Sequence, residues 1–163
     1  MTIYNADAAR EAQKRLDELT ALTESRERVL AILEDRQQKL ADLTERYRTT
    51  VMVEADYAHD RAMLQADIEA LSTTGRQATG TQEVWTLMKQ VGWGLRDLDL
   101  RIERLRREYE DWQRRATTNP EGTAMYRLVR GNHYRDGRRV QPGEVVELTH
   151  RQAEAWSDLF EPV

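Results

Sequence analysis

The segment VWTLMKQVGWGLRDLDLRIERLRREYEDW, residues 84–112, carries Val84, Met88, Val91, Leu95, Leu98, Ile102, Leu105, Tyr109 and Trp112 at alternating spacings of four and three. An α-helix gathers residues at those spacings into one stripe, and an apolar stripe of that length has to be covered. Upstream, Leu19, Leu22, Val29, Leu33, Leu40, Leu43, Tyr47, Tyr57, Leu64, Ile68 and Leu71 fall on a single heptad register. Two such stripes in one chain predict a mainly α protein built as a long helical hairpin or coiled coil.

The first arm is read as one helix. No proline or glycine occurs between residues 6 and 71, and Asn5 or Asp7 can cap its start behind a flexible tail of residues 1–5. Arg26, Arg36, Thr50, Glu54 and Arg61 fall on its seam. The plainer reading is that the long side chains snorkel to the edge; the sharper one is that they fix register or chain number. Thr49, Thr50, Val51 and Val53 bring β-branched residues together, which makes a kink or break there the alternative to a continuous helix. Residues 72–83 hold two glycines and no large apolar group, so they are read as the hairpin loop, with Thr81 as the next N-cap. The second arm then runs to Ala116, closing a hairpin over residues 6–116. Gly92-Trp93-Gly94 weakens it by roughly 1 kcal/mol per glycine and is read as a close helix approach covered by Trp93.

Length has a consequence for assembly. At 1.5 Å per residue, residues 84–112 cover about 43 Å and residues 19–71 about 80 Å. If the chain turns at 72–83, Trp112 falls near Leu43, and Leu19, Leu22, Val29, Leu33 and Leu40 are left without an intrachain partner. That overhang predicts a homo-oligomer, a trimer or a dimer, with Leu43 onward and residues 84–112 forming the intrachain seam.

Composition agrees with long helices bathed in solvent: one third of the residues are charged and only 7% are aromatic. A net charge of −4 marks the chain as neither a dedicated nucleic-acid binder nor a membrane-surface protein. No cysteine is present, which excludes disulfides and thiolate metal sites, and no apolar run reaches the roughly 18 residues of a membrane span. The start of the chain lacks the basic and apolar parts of a secretory signal, so a soluble protein is expected. Of 25 basic residues only Lys14, Lys39 and Lys89 are lysines, a skew that fits a GC-rich coding sequence and also suits bidentate pairing.

After a linker at residues 117–124 the sequence changes character. Met125 to Arg130 reads as a strand, Asp136-Gly137 as a two-residue hairpin turn, Pro142-Gly143 as a second turn and Glu144 to Leu148 as another strand. Thr149 with Gln152 is a capping box opening a short helix with Ala153, Trp156 and Phe160 on one face. Residues 125–163 thus form a small module of β-hairpin plus helix, short enough to need a surface to dock on. Arg127, Arg130, Arg135, Arg138 and Arg139, with Tyr126 and Tyr134 interleaved, are candidate contacts to a partner or to phosphate. Asp136, Glu144 and Glu147 nearby favour a solvated hairpin or a protein partner over nucleic acid. His59, His133 and His150 lack metal-ligand spacing, and the acidic residues fall on outward helix positions, so no catalytic, cofactor or metal site is expected.

The segment from Met125 to Trp156 resembles small modules of tailed-bacteriophage structural proteins, in which a Pro-Gly turn, a strand and a Thr-capped helix follow a first strand. Pro142, Gly143, Val145, Glu147, Leu148, Thr149, Gln152 and Ala153 carry the match, and Glu144 stands where Asp is more usual. The resemblance covers about a quarter of the chain. It implies a non-enzymatic virion component, a head-associated fibre, decoration or connector protein, contacting capsid, portal or tail proteins and present in the host cytoplasm during assembly. An oligomeric nucleic-acid-binding regulator gripping phosphates through the arginine-rich hairpin, and a scaffolding factor absent from the finished particle, are the alternatives.

Overall fold

The computed structural model describes residues 1–73 and 80–163. The protein is mainly α with a small antiparallel sheet, and it divides into two compact units, residues 13–109 and residues 1–12 together with 110–163.

The long first arm is broken. Helix α1 runs from Ala6 to Thr49 and α2 from Glu54 to Ser72, with Val53 extended ahead of α2. The hydroxyls of Thr49 and Thr50 donate back to the carbonyls of Glu45 and Arg46, a pattern that bends and ends helices, and the β-branched residues that follow keep the chain out of helix. Tyr47 and Tyr57 then stack across the turn, centroids 4.0 Å apart and planes within 12°. The first arm therefore reverses at residues 50–53; of the loop expected at 72–83, residues 74–79 lie outside the described residues.

This reversal corrects the overhang. Because α2 returns along α1, Val29 and Leu33 pack with Ala70, Leu71, Val84, Leu87, Met88 and Leu98 in one intrachain core. Val29 and Leu33 are thus core residues rather than a bare seam, whereas Leu19, Leu22 and Leu40 are only half-buried. Leu43 and Ile102 are also buried; Leu64, Ile68, Val91, Leu95, Leu105, Tyr109, Trp112 and Tyr57 are half-buried, and Tyr47 is exposed.

The second arm is broken as well, into α3 from Gln82 to Val91 and α4 from Leu95 to Thr117. Gly92 adopts φ 80, the left-handed geometry that ends a helix, and its N–H donates to the Met88 carbonyl at 2.7 Å. A Cβ at Gly92 would meet nothing within 4 Å, so this glycine serves the turn and not the close packing expected of it. Trp93 is exposed with the Arg101 guanidinium over its ring at 4.3 Å. Further along, Glu108 of α4 pairs with Arg15 at 2.8 Å, which sets α4 against the beginning of α1 rather than against the Leu43 region.

In the other unit the first residues are tied down. The N–H groups of Tyr4 and Asn5 both donate to the Ala116 carbonyl, and the Asn5 side chain caps α1 by accepting from Ala8 N–H at 3.0 Å. Beyond α4 come strands β1, Thr123–Leu128; β2, His133–Arg135; β3, Arg138–Val140; and β4, Val145–Thr149. Helix α5, His150–Ala155, and strand β5, Phe160–Pro162, complete the module. The sheet order is β4-β1-β5, antiparallel, with β2 and β3 as a separate hairpin. Asp136 and Gly137 both have positive φ, 50 and 76, the signature of the two-residue turn that matches strand twist. The Thr149–Gln152 capping box is complete in both directions. Leu128, Val140, Leu148, Ala153 and Phe160 form the core, with Trp156 packed on it.

Candidate functional site

Three places concentrate chemistry. The first is the arginine-rich hairpin. Arg127 pairs with Glu161 at 3.7 Å, Arg138 with Glu144 at 2.7 Å, and Arg130 donates to the Asp158 carbonyl at 2.7 Å. Arg135 donates to the Glu147 carbonyl of the edge strand β4, and Arg139 to the Asn132 side chain. All five arginines singled out from the sequence are thus spent on internal partners. A phosphate would have to displace those partners, and the guanidinium on Glu147 also covers an edge carbonyl that another strand could otherwise use. Glu144 is the best-held acid here: the Gln141 N–H outweighs the little desolvation it feels, Arg138 adds to it, and its carboxyl lies below the ordinary value of 4.5.

The second place is buried. Asp67 of α2 is 0% exposed and accepts from Arg36 Nε at 2.9 Å, Thr81 N–H at 2.8 Å and Thr81 Oγ1 at 2.7 Å. Arg36 of α1, 4% exposed, also reaches Glu83 of α3 and the neighbouring Asp35. Burial pulls the Arg36 pKa down, but its hydrogen bonds to Glu83 and Asp67 and their charges outweigh that, leaving the guanidinium above its ordinary value. Arg36 therefore does not snorkel. It pins α1, α2 and the start of α3 to one another within the chain, while Arg26 pairs near the surface with Asp99 at 2.6 Å. Asp67 was not singled out from the sequence. Its separation from Arg36, 31 residues, matches no helical spacing, so only the fold-back brings them together.

The third place is a cavity of about 880 Å³ in the unit of residues 1–12 and 110–163. Tyr4, Trp112, Tyr126 and His150 line it, and the Tyr126 hydroxyl lies 2.9 Å from His150 Nδ1. Trp112, assigned from the sequence to the hairpin seam, is one of its walls. Of the other histidines, His59 is exposed and His133 packs edge-on against Trp156 and Phe160 at 4.5 and 5.0 Å. Among the described residues there is no group of three potential metal ligands and no helix long and apolar enough to cross a membrane.

Comparison of the chain with protein-family models, curated proteins and solved structures gives no match.

Proposed function

We propose that this chain is a non-enzymatic structural component of a tailed-bacteriophage particle, a head-associated fibre, decoration or connector protein. The observation that carries the reading is the module. Pro142, Gly143, Val145, Glu147, Leu148, Thr149, Gln152 and Ala153, through which it resembles phage structural modules, form in order a turn, an edge strand and a helix opened by a capping box. The helices supply support of another kind: α1 alone has 44 residues, about 66 Å of rigid element, pinned internally by the Arg36–Asp67 pair. In this reading the helices act as a spacer and the module as the piece that meets a capsid, portal or tail protein. Self-association belongs to the proposal as well, as a coiled coil using Leu19, Leu22 and Leu40, which the chain's own helices leave half-covered.

The test is mass spectrometry of gradient-purified particles before and after washing in about 1 M salt, where surface charge pairs are screened within about 3 Å. Retention in finished particles at high salt is the expected result. Presence in immature heads alone would assign a scaffolding role instead, and steep salt-dependent binding to DNA without particle association would assign a regulator.

A further inference from the structure

The cavity bounded by Tyr4, Trp112 and Tyr126 has the size and chemistry of a binding site. At about 880 Å³ it lies within the roughly 300–1,000 Å³ of ordinary ligand sites. Its walls come from the strap that holds Tyr4 against Ala116, the end of α4 and the linker after it, strand β1, α5 with the turn that follows it, and strand β5. Its rings are held in place by neighbours. The Arg115 guanidinium covers Trp112 at 4.9 Å from the ring centre, and the Tyr126 hydroxyl is oriented by His150. Tyr4 remains 48% exposed, so it offers its ring to an incoming group.

The charges decide what that group can be. Arg114, Arg115 and Arg151 line the cavity together with Asp7, Asp111 and Glu154, three of each sign. Arg114 and Arg115 already share Asp111, Arg151 holds Glu121 at 2.8 Å, and Asp7 is held by Arg10. A nucleic-acid strand would meet three carboxylates in the lining, and its phosphates would have to compete for guanidinium groups already engaged. A polycation would meet three arginines. An occupant without net charge has neither difficulty, and rings of Tyr and Trp type suit apolar, rigid groups that still need hydrogen-bond partners beside them. An extended proline-containing peptide meets every condition. It docks on aromatic-lined grooves, carries free carbonyls for a tyrosine hydroxyl to donate to, and loses little conformational freedom on binding because its backbone is already stiff.

We propose that this cavity is a docking site for an uncharged, proline-containing, extended segment of a partner protein. The proposal rests on the lining itself and holds whether or not the chain belongs to a particle. The test uses the full chain and an array of ten-residue peptides built on a Pro-x-x-Pro frame with varied uncharged flanks. Gly/Ser peptides of the same length and oligothymidine serve as comparators, all read by fluorescence anisotropy. Saturable binding of Pro-x-x-Pro peptides is expected, weakened roughly three- to tenfold by Tyr4→Ala, the worth of one aromatic contact. Tyr4→Phe should restore it, and Trp93→Ala, a change in the other unit, should leave it intact. Tyr4 is half-exposed, so circular dichroism should show an unchanged fold for both Tyr4 variants. Binding by no peptide of the array, equal binding of Gly/Ser peptides, tighter binding of oligothymidine, or indifference to Tyr4→Ala would each overturn the proposal.

Discussion

Removing the Asp67 carboxylate strikes the point where three helices meet. In Asp67→Ala, Arg36 keeps Glu83 and Asp35 but loses its only fully buried counter-charge, and the Thr81 N–H and hydroxyl lose their acceptors. Breaking a buried pair by deleting one partner costs about 3–5 kcal/mol. Glu83 and Asp35 are 62% and 44% exposed and still neutralise part of the stranded charge, which places this loss near 3 kcal/mol. For a chain of this size, 1 kcal/mol moves the melting temperature by about 2–4 °C, so a fall of roughly 6–12 °C is expected. The double change Arg36→Met with Asp67→Leu removes both charges and fills similar volume, and should recover the part of the loss that comes from the stranded guanidinium, while Thr81 still lacks its acceptor. Urea unfolding followed by circular dichroism measures all three variants. A midpoint for Asp67→Ala within about 0.5 kcal/mol of the parent, the range of ordinary surface changes, would refute the buried-pin reasoning. So would a double variant as unstable as the sum of the singles.

Other consequences are smaller or more local. Gly92→Ala should cost about 1–2 kcal/mol from backbone strain alone, since the site has φ 80 and open space around the added methyl, and thermal melts would show it. Thr149→Ala should cost about 1 kcal/mol by removing half of the capping box, seen as faster amide exchange at Gln152. The Glu144 carboxyl is depressed in the folded chain, so its support of the hairpin is full above 4.5 and lost as pH falls through the lower folded value. An NMR titration should place its midpoint below 4.5, and Glu144→Gln should abolish that pH dependence. Leu33→Asp puts a charge into the intrachain core and should unfold the chain outright, where a purely inter-chain seam would give a folded monomer by light scattering.

Much of this fold is legible in the chain because its signals are local. The heptad stripes give the helices and the class; Asp136-Gly137, Pro142-Gly143 and the Thr149–Gln152 box give the hairpin, the edge strand and the start of the helix, but not β5: Phe160, expected on the helix face, lies in that strand and pairs with Leu128 once the chain has turned after Ala155. The β-branched cluster at residues 49–53 marks a weak point, but whether a helix bends or reverses there depends on what it can cover afterwards. That outcome is set by Ala70, Leu71 and the α3 residues acting together, which no local window contains. The same limit hides the Arg36–Asp67 pair. It hides the partners of the five hairpin arginines too, which come from Asn132, Glu144, Glu147, Asp158 and Glu161 once the strands are in register. At Gly92 the sequence signals a departure from helix, and only φ distinguishes a left-handed cap from a close approach. The cavity is the least legible feature, since Tyr4, Trp112, Tyr126 and His150 are brought together from across the chain by the strap and the sheet.

The central claim is that the first arm reverses at residues 50–53 and builds its core within a single chain. The chain has no cysteine, so Gln38→Cys with Gln65→Cys, both exposed, allows two spin labels to be placed cleanly on α1 and α2. Measured by electron–electron double resonance in labelled protein diluted with unlabelled protein, one short distance is expected, the 8–10 Å between packed helices plus the label arms. A dominant distance near 40 Å, the length of a continuous helix between those positions, would contradict the account.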